Sequence, residues 1–131
     1  MTSYFSITVQ VDGCDRSRTE AVREAVERQW DIECCVRSWD NPKDGMLRFV
    51  GKACLYAGEQ PNNFASRLSE AVWQANGDYC KVELRANGVE GSIAGEGVYS
   101  VTPSDYWEWK QSGQLPRVRR IDAEWAQPAA A

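Results

Sequence analysis

Arginines and carboxylates gathered in short turns are the first residues of this sequence that could do chemistry. Asp12 lies close to Asp15, and Asp40 close to Asp44; either pair could share a proton as general acid and base, or hold a hard cation. Arg16 and Arg18 follow the first pair and could cradle a phosphate. Small proteins carry the same side chains in turns for turn chemistry and solubility alone, so none of them is assigned a catalytic role. The five cysteines, Cys14, Cys34, Cys35, Cys54 and Cys80, are odd in number. Three of them fall at alternating strand positions, which reads as buried thiols in a reducing compartment and not as a disulfide framework. The chain has no histidine. A Ser-His-Asp triad, a Cys-His pair and a histidine-ligated metal are therefore excluded within one chain, and no motif implies a cofactor or a metal.

Aromatic and basic residues suit binding better than catalysis. Tyr106, Trp107 and Trp109 are followed by Arg117, Arg119 and Arg120, and Trp39 lies in an earlier loop. Tryptophan, tyrosine and arginine are favoured at the energetic centres of protein interfaces, which makes these residues a candidate partner site. A helix packing its aromatic face onto a sheet would explain the trio equally well. A second set, Arg37, Arg48, Lys52, Tyr56 and Arg85, would form a basic and aromatic sheet face able to hold single-stranded nucleic acid. The formal charge of -4 and pI near 4.9 argue against bulk nucleic acid or an anionic membrane as the main partner, while leaving room for a local basic patch.

The elements that must position these residues follow from periodicity. The length of 131 residues suits one core. Tyr4 to Val11 alternates apolar and polar side chains as a half-buried strand, which Asp12-Gly13 is expected to end. Ser17 and Glu20 have capping-box spacing and predict the start of helix one, with Ala21, Val22, Ala25, Val26 and Trp30 as its apolar stripe. In strand two the alternation predicts Ile32, Cys34 and Val36 inward and Glu33, Cys35 and Arg37 outward. Strand three runs from Met46 to Tyr56, helix two carries Phe64, Leu68, Ala71, Val72 and Ala75 and stops at Asn76-Gly77, and strand four spans Tyr79 to Arg85.

This order predicts, over residues 1–86, an α+β ferredoxin-like βαββαβ antiparallel sheet with both helices on one face. Residues 87–131 form a C-terminal extension that docks on the domain or on a partner. In it, a glycine-rich connection leads to a short strand at Val98, Tyr99 and Val101, and Thr102-Pro103-Ser104-Asp105 starts a short helix over Tyr106 to Ser112. The extension is too aromatic for a linker, and the helix-free sheet face is its expected docking place.

Acylphosphatases share this element order and use an arginine before helix one, but the phosphate loop that marks them is absent from Gly13 to Arg18, which leaves only a small arginine-dependent hydrolase centred on Arg16 as an alternative. Metal-transport domains of the same fold carry two cysteines in this loop, where Cys14 stands alone. The stretch Ser38-Trp39-Asp40-Asn41-Pro42 with Asp44 to Phe49, then Phe64 to Leu68 and Ala75 to Cys80, resembles small uncharacterised proteins of bacterial phages and mobile elements. No activity attaches to that group; by analogy with small acidic proteins of such elements that bind and block a host or competing protein, anti-CRISPR proteins among them, the expectation is a non-enzymatic protein-protein interaction module that inhibits a host defence complex. The expectation is a cytoplasmic monomer or homodimer with a protein partner and no membrane attachment; nucleic-acid binding on the open sheet face is the alternative.

Overall fold

In a computed structural model the described residues are 3–30, 32, 34–38, 44–55, 59–88 and 97–121. Within them nine strands and α-helices follow one another: β1 (Ser3–Asp15), α1 (Thr19–Glu27), β2 (Cys34–Ser38), β3 (Asp44–Leu55), α2 (Pro61–Asn76), β4 (Lys81–Gly88), β5 (Gly97–Ser100), α3 (Pro103–Ser112) and β6 (Arg119–Arg120). The strands form one open antiparallel sheet in the order β2-β3-β1-β4-β5-β6. The fold is α+β, with β1 and β3 adjacent at the centre of the first four strands and β2-β3 a hairpin, as the alternating patterns predict.

One sheet face is apolar because the pleat sends every second side chain to it. Phe5, Ile7, Val9 and Val11 of β1, Leu47 and Phe49 of β3, and Val82, Leu84 and Ala86 of β4 are buried there beneath Val22 and Val26 of α1 and Phe64, Leu68 and Val72 of α2. Burying each of the larger side chains is worth about 1.5–3 kcal/mol. The opposite face carries Ser6, Thr8, Gln10, Arg48, Lys52, Glu83 and Arg85, half-buried or exposed.

Four local expectations are corrected. Asp12-Gly13 does not end β1. Gly13, at φ +81°, occupies the left-handed region, and the register to β3 shifts between Asp12 and Cys14, so the pair forms a bulge through which the strand continues to Asp15. Glycine takes this conformation without the Cβ penalty other residues incur, which is why such bulges use it. Ser17 does not start helix one either. Arg16–Arg18 forms a 3-10 turn capped by Asp15, whose Oδ1 accepts from Ser17 N at 2.9 Å and Ser17 Oγ at 2.7 Å, and α1 begins at Thr19.

The phase of β2 is the third correction. Cys35 lies opposite Phe49 and Arg37 opposite Leu47, the buried series of β3, while Val36 lies opposite Arg48. Cys35 is accordingly packed against the core. The alternation of Ile32, Cys34 and Val36 sets the expected phase, but a strand of five residues is phased by the partner it pairs with.

The fourth correction concerns the C-terminal extension. Its described residues do not cross the helix-free face. Instead β5 and β6 lengthen the sheet beyond β4, and α3 packs on the helix side, where Tyr99, Val101 and Tyr106 join the same core as α2. Trp39, Asp40, Tyr56, Gly58, Gly91, Gly95 and Trp125 lie outside the described residues.

Candidate functional site

The aromatic trio is set by the start of α3. Thr102 and Asp105 form a reciprocal capping box: Thr102 N donates to Asp105 Oδ2 at 2.8 Å, and Asp105 N donates to Thr102 Oγ1 at 3.3 Å. Asp105 is only 1 % exposed, and Arg119 of β6 approaches its Oδ1 at 3.6 Å. A buried carboxylate needs such partners. The cap therefore fixes both the helix and the strand that follows it.

From this start, the three aromatics part ways. Tyr106 is buried, with its ring edge-on to Trp73 of α2 at 5.2 Å and to Tyr79 at 5.9 Å. Trp109 is half-buried; its Nε1 donates to Glu70 Oε2 on α2 at 2.9 Å and its ring lies 5.5 Å from that of Trp73. Both therefore hold α3 to α2. Trp107 is 55 % exposed, with the Lys110 ammonium 5.5 Å from its ring centroid. The expected partner site thus keeps one aromatic at the surface.

Past Gly113 the chain doubles back along α3 and α2. Arg117 pairs with Glu108 at 3.3 Å, and Ser66 Oγ donates to the Pro116 carbonyl. Leu115, in this return segment, is 62 % exposed. It was absent from the expected site; the available signal was an apolar residue set between Gly113 and Pro116 with no periodic neighbour to pack with. Arg117, Arg119 and Arg120 are all exposed, with Arg119 held by Asp105 and Arg117 by Glu108.

The second candidate set divides differently. Cross-strand pairing aligns Arg48, Gln10 and Glu83 in one row, Val50, Thr8 and Arg85 in the next, and Lys52, Ser6 and Asn87 in a third. Arg48, Lys52 and Arg85 are thereby brought onto one face, as expected. Arg37 is not placed with them, because its register position opposite Leu47 belongs to the other series; only its backbone is described. Arg48 Nη2 donates to Gln10 Oε1 at 2.7 Å, and Gln10 Nε2 donates to Asp12 Oδ2 at 2.9 Å. Thr8, Gln10, Arg48, Glu83 and Arg85 line a hollow of about 300 Å³. Of these, Thr8, Gln10 and Glu83 were outside both expected sets.

The catalytic candidates are used locally. The Asp15 carboxylate caps the 3-10 turn, and hydrogen bonds from the Ser17 hydroxyl and amide hold its pKa below the usual value. Asp15 N donates to Asn76 Oδ1 at 2.8 Å. Two amides that a phosphate loop would present to its ligand are thus already engaged near Arg16. Cys14 and Cys80 are buried thiols whose pKa values burial pushes up, with each near the other in the core. No group of three or more metal-ligating side chains gathers among the described residues, and no described helix is long and apolar enough to cross a membrane.

No protein-family model matches this chain, and no curated protein matches its sequence. The crystal structure of protein MK0293 from Methanopyrus kandleri AV19 is similar to it over 86% of this chain and 81% of that one, with 13% identity and a TM-score of 0.35. A likeness at that score carries nothing about function.

Proposed function

We propose that the protein is a non-enzymatic interaction module that binds a protein partner through α3 and the segment returning from it. The observation that carries this reading is that the exposed large hydrophobic residues among the described ones, Trp107 and Leu115, both belong to this part of the chain. A tryptophan braced by a cation, beside exposed arginines, has the composition of an interface centre surrounded by a polar rim. Tyr106 and Trp109 serve this surface by anchoring its helix.

The order β2-β3-β1-β4, entirely antiparallel, supports a ferredoxin-like domain bearing this extension. The resemblance of its middle third to small phage and mobile-element proteins supports a cytoplasmic inhibitor of a host defence complex as the biological role. The test is affinity capture from bacterial lysate with nuclease present, comparing the natural chain with Trp107→Ala. A stoichiometric protein held by the natural chain and released by the variant supports the reading; equal capture by both removes α3 as the binding surface.

A further inference from the structure

The helix-free sheet face is a surface separate from Trp107 and Leu115, and its chemistry differs. β3 contributes Arg48 and Lys52, and β4 contributes Lys81 and Arg85, all exposed. Between them β1 presents Ser6, Thr8 and Gln10. The two lines of cations stand about 10 Å apart, two strand spacings, and each runs about 13 Å, the rise of four residues. They flank a trough floored by the short or amide side chains of Ser6, Thr8 and Gln10, with Asp12 at the end beside Lys81. The hollow of about 300 Å³ lies in this trough, with Arg48 on one wall and Arg85 on the other. In a chain of formal charge -4, four cations facing Asp12 and Glu83 on one face are a local reversal of sign.

We infer that this trough binds a single strand of nucleic acid along β1, with the cations of β3 and β4 on its phosphates. Charge complementarity selects a polyanion, whose charges repeat along a line as the cations do. The hollow itself offers a protein partner no apolar anchor: Thr8, Gln10, Arg48, Glu83 and Arg85 line it, whereas protein interfaces have apolar centres depleted of charge. Ser6, Thr8 and Gln10 offer hydrogen-bond donors and acceptors to sugars and base edges. None of the three is aromatic, so binding is through the backbone and tolerant of sequence.

The experiment is fluorescence anisotropy with a labelled ten-nucleotide single strand of mixed sequence, between 50 and 200 mM salt, with a labelled glutamate-rich peptide as second probe. For a single strand, log affinity falls by about 0.7 per neutralised phosphate for each tenfold rise in salt, so four contacts predict about a fiftyfold loss over this range. Arg48→Ala and Arg85→Ala should each weaken binding about eightfold at 50 mM and flatten the salt dependence, since one phosphate contact contributes that factor there. Glu83→Gln should strengthen it, and Trp107→Ala should leave it unchanged. Circular dichroism confirms that each variant is folded. Absence of binding at 50 mM overturns the inference, as does equal affinity for the glutamate-rich peptide. So does a dimer that Arg48→Glu dissociates, which would make a second copy the occupant. Partner capture through α3 that persists in Arg48→Ala would keep the two surfaces distinct.

Discussion

Alanine at Tyr106 and alanine at Trp107 should have opposite consequences, although the residues are neighbours. Tyr106 is 2 % exposed and its ring meets those of Trp73, Tyr79 and Trp109 at 5.2, 5.9 and 5.8 Å. Truncating a buried aromatic costs about 3–5 kcal/mol, and the edge-on contacts with Trp73 and Tyr79 account for about 1–2 kcal/mol of that. A loss of about 4 kcal/mol is a large part of the roughly 5–15 kcal/mol that stabilises a domain. Tyr106→Phe should be nearly neutral, since the hydroxyl has no hydrogen-bond partner among the described residues. Trp107 is 55 % exposed, and its removal forfeits the Lys110 contact and an edge-on contact with Tyr106 at 5.4 Å, together about 1–2 kcal/mol at a surface. Its cost should appear in partner affinity instead, on the order of 2 kcal/mol or a thirtyfold rise in Kd. Urea unfolding followed by circular dichroism, alongside calorimetric titration with the captured partner, separates the two. Destabilisation of less than 1 kcal/mol by Tyr106→Ala, or of more than 2 kcal/mol by Trp107→Ala, would refute the assignment of one ring to the core and the other to the surface.

Other perturbations test the frame. Trp73 Nε1 donates to the Cys80 carbonyl at 2.9 Å, whereas buried Trp30 Nε1 has no partner among the described residues; Trp73→Phe should therefore cost about 2–3 kcal/mol more than Trp30→Phe in denaturant unfolding. Equal costs would show that packing alone governs both sites. The Asp15 pKa is depressed by hydrogen bonds from Ser17, so its contribution is complete above the unfolded carboxylate range and fades as pH falls through about 4 towards the lower folded value. Asp15→Asn should differ from the natural chain at pH 7 and converge on it in acid; a constant difference across that range would contradict the cap. Cys14 and Cys80 are buried with raised pKa values, so site-resolved alkylation at pH 8 should label them only as fast as the protein unfolds. Labelling that is rapid and independent of denaturant would place them nearer the surface.

Legibility in the sequence tracked how local each determinant is. Alternation in β1, β3 and β4 is readable because one face of each is buried over the central residues of the strand, so period and burial coincide there. The ends of α2 and α3 were readable because a cap is a local arrangement: Gly77 and Gly113 close these helices in left-handed conformation. β2 failed because a five-residue edge strand has too few side chains to fix its phase against a turn of unknown geometry. Asp12-Gly13 reads as a stop because the residues of a bulge are those of a turn, and only the partner strand decides between them. The capping box at Ser17 had the right spacing but lost to Asp15, two residues earlier, which bonds both the Ser17 amide and hydroxyl. The charged rows across β3, β1 and β4 join residues far apart in the chain, and only strand order and register together create them.

The placement of the extension decides which surfaces remain for binding. Had its aromatic residues covered the helix-free face, the cations of β3 and β4 would have been shielded and Trp107 would have had a core to enter. Instead β5 continues the sheet from β4, and this carries α3 to the helix side, where Trp73 on α2 presents an aromatic surface that Tyr106 and Trp109 complete. Tyr106, Trp107 and Trp109, spread around one turn, cannot all face that surface. With residues 106 and 109 on the same side of a 3.6-residue period, residue 107 is turned about 100° away from 106. The exposure of Trp107 is thus a geometric consequence of how α3 is anchored. Replacing it by a polar residue would cost the fold only its surface contacts with Tyr106 and Lys110, so a functional demand at this position has to show itself in binding.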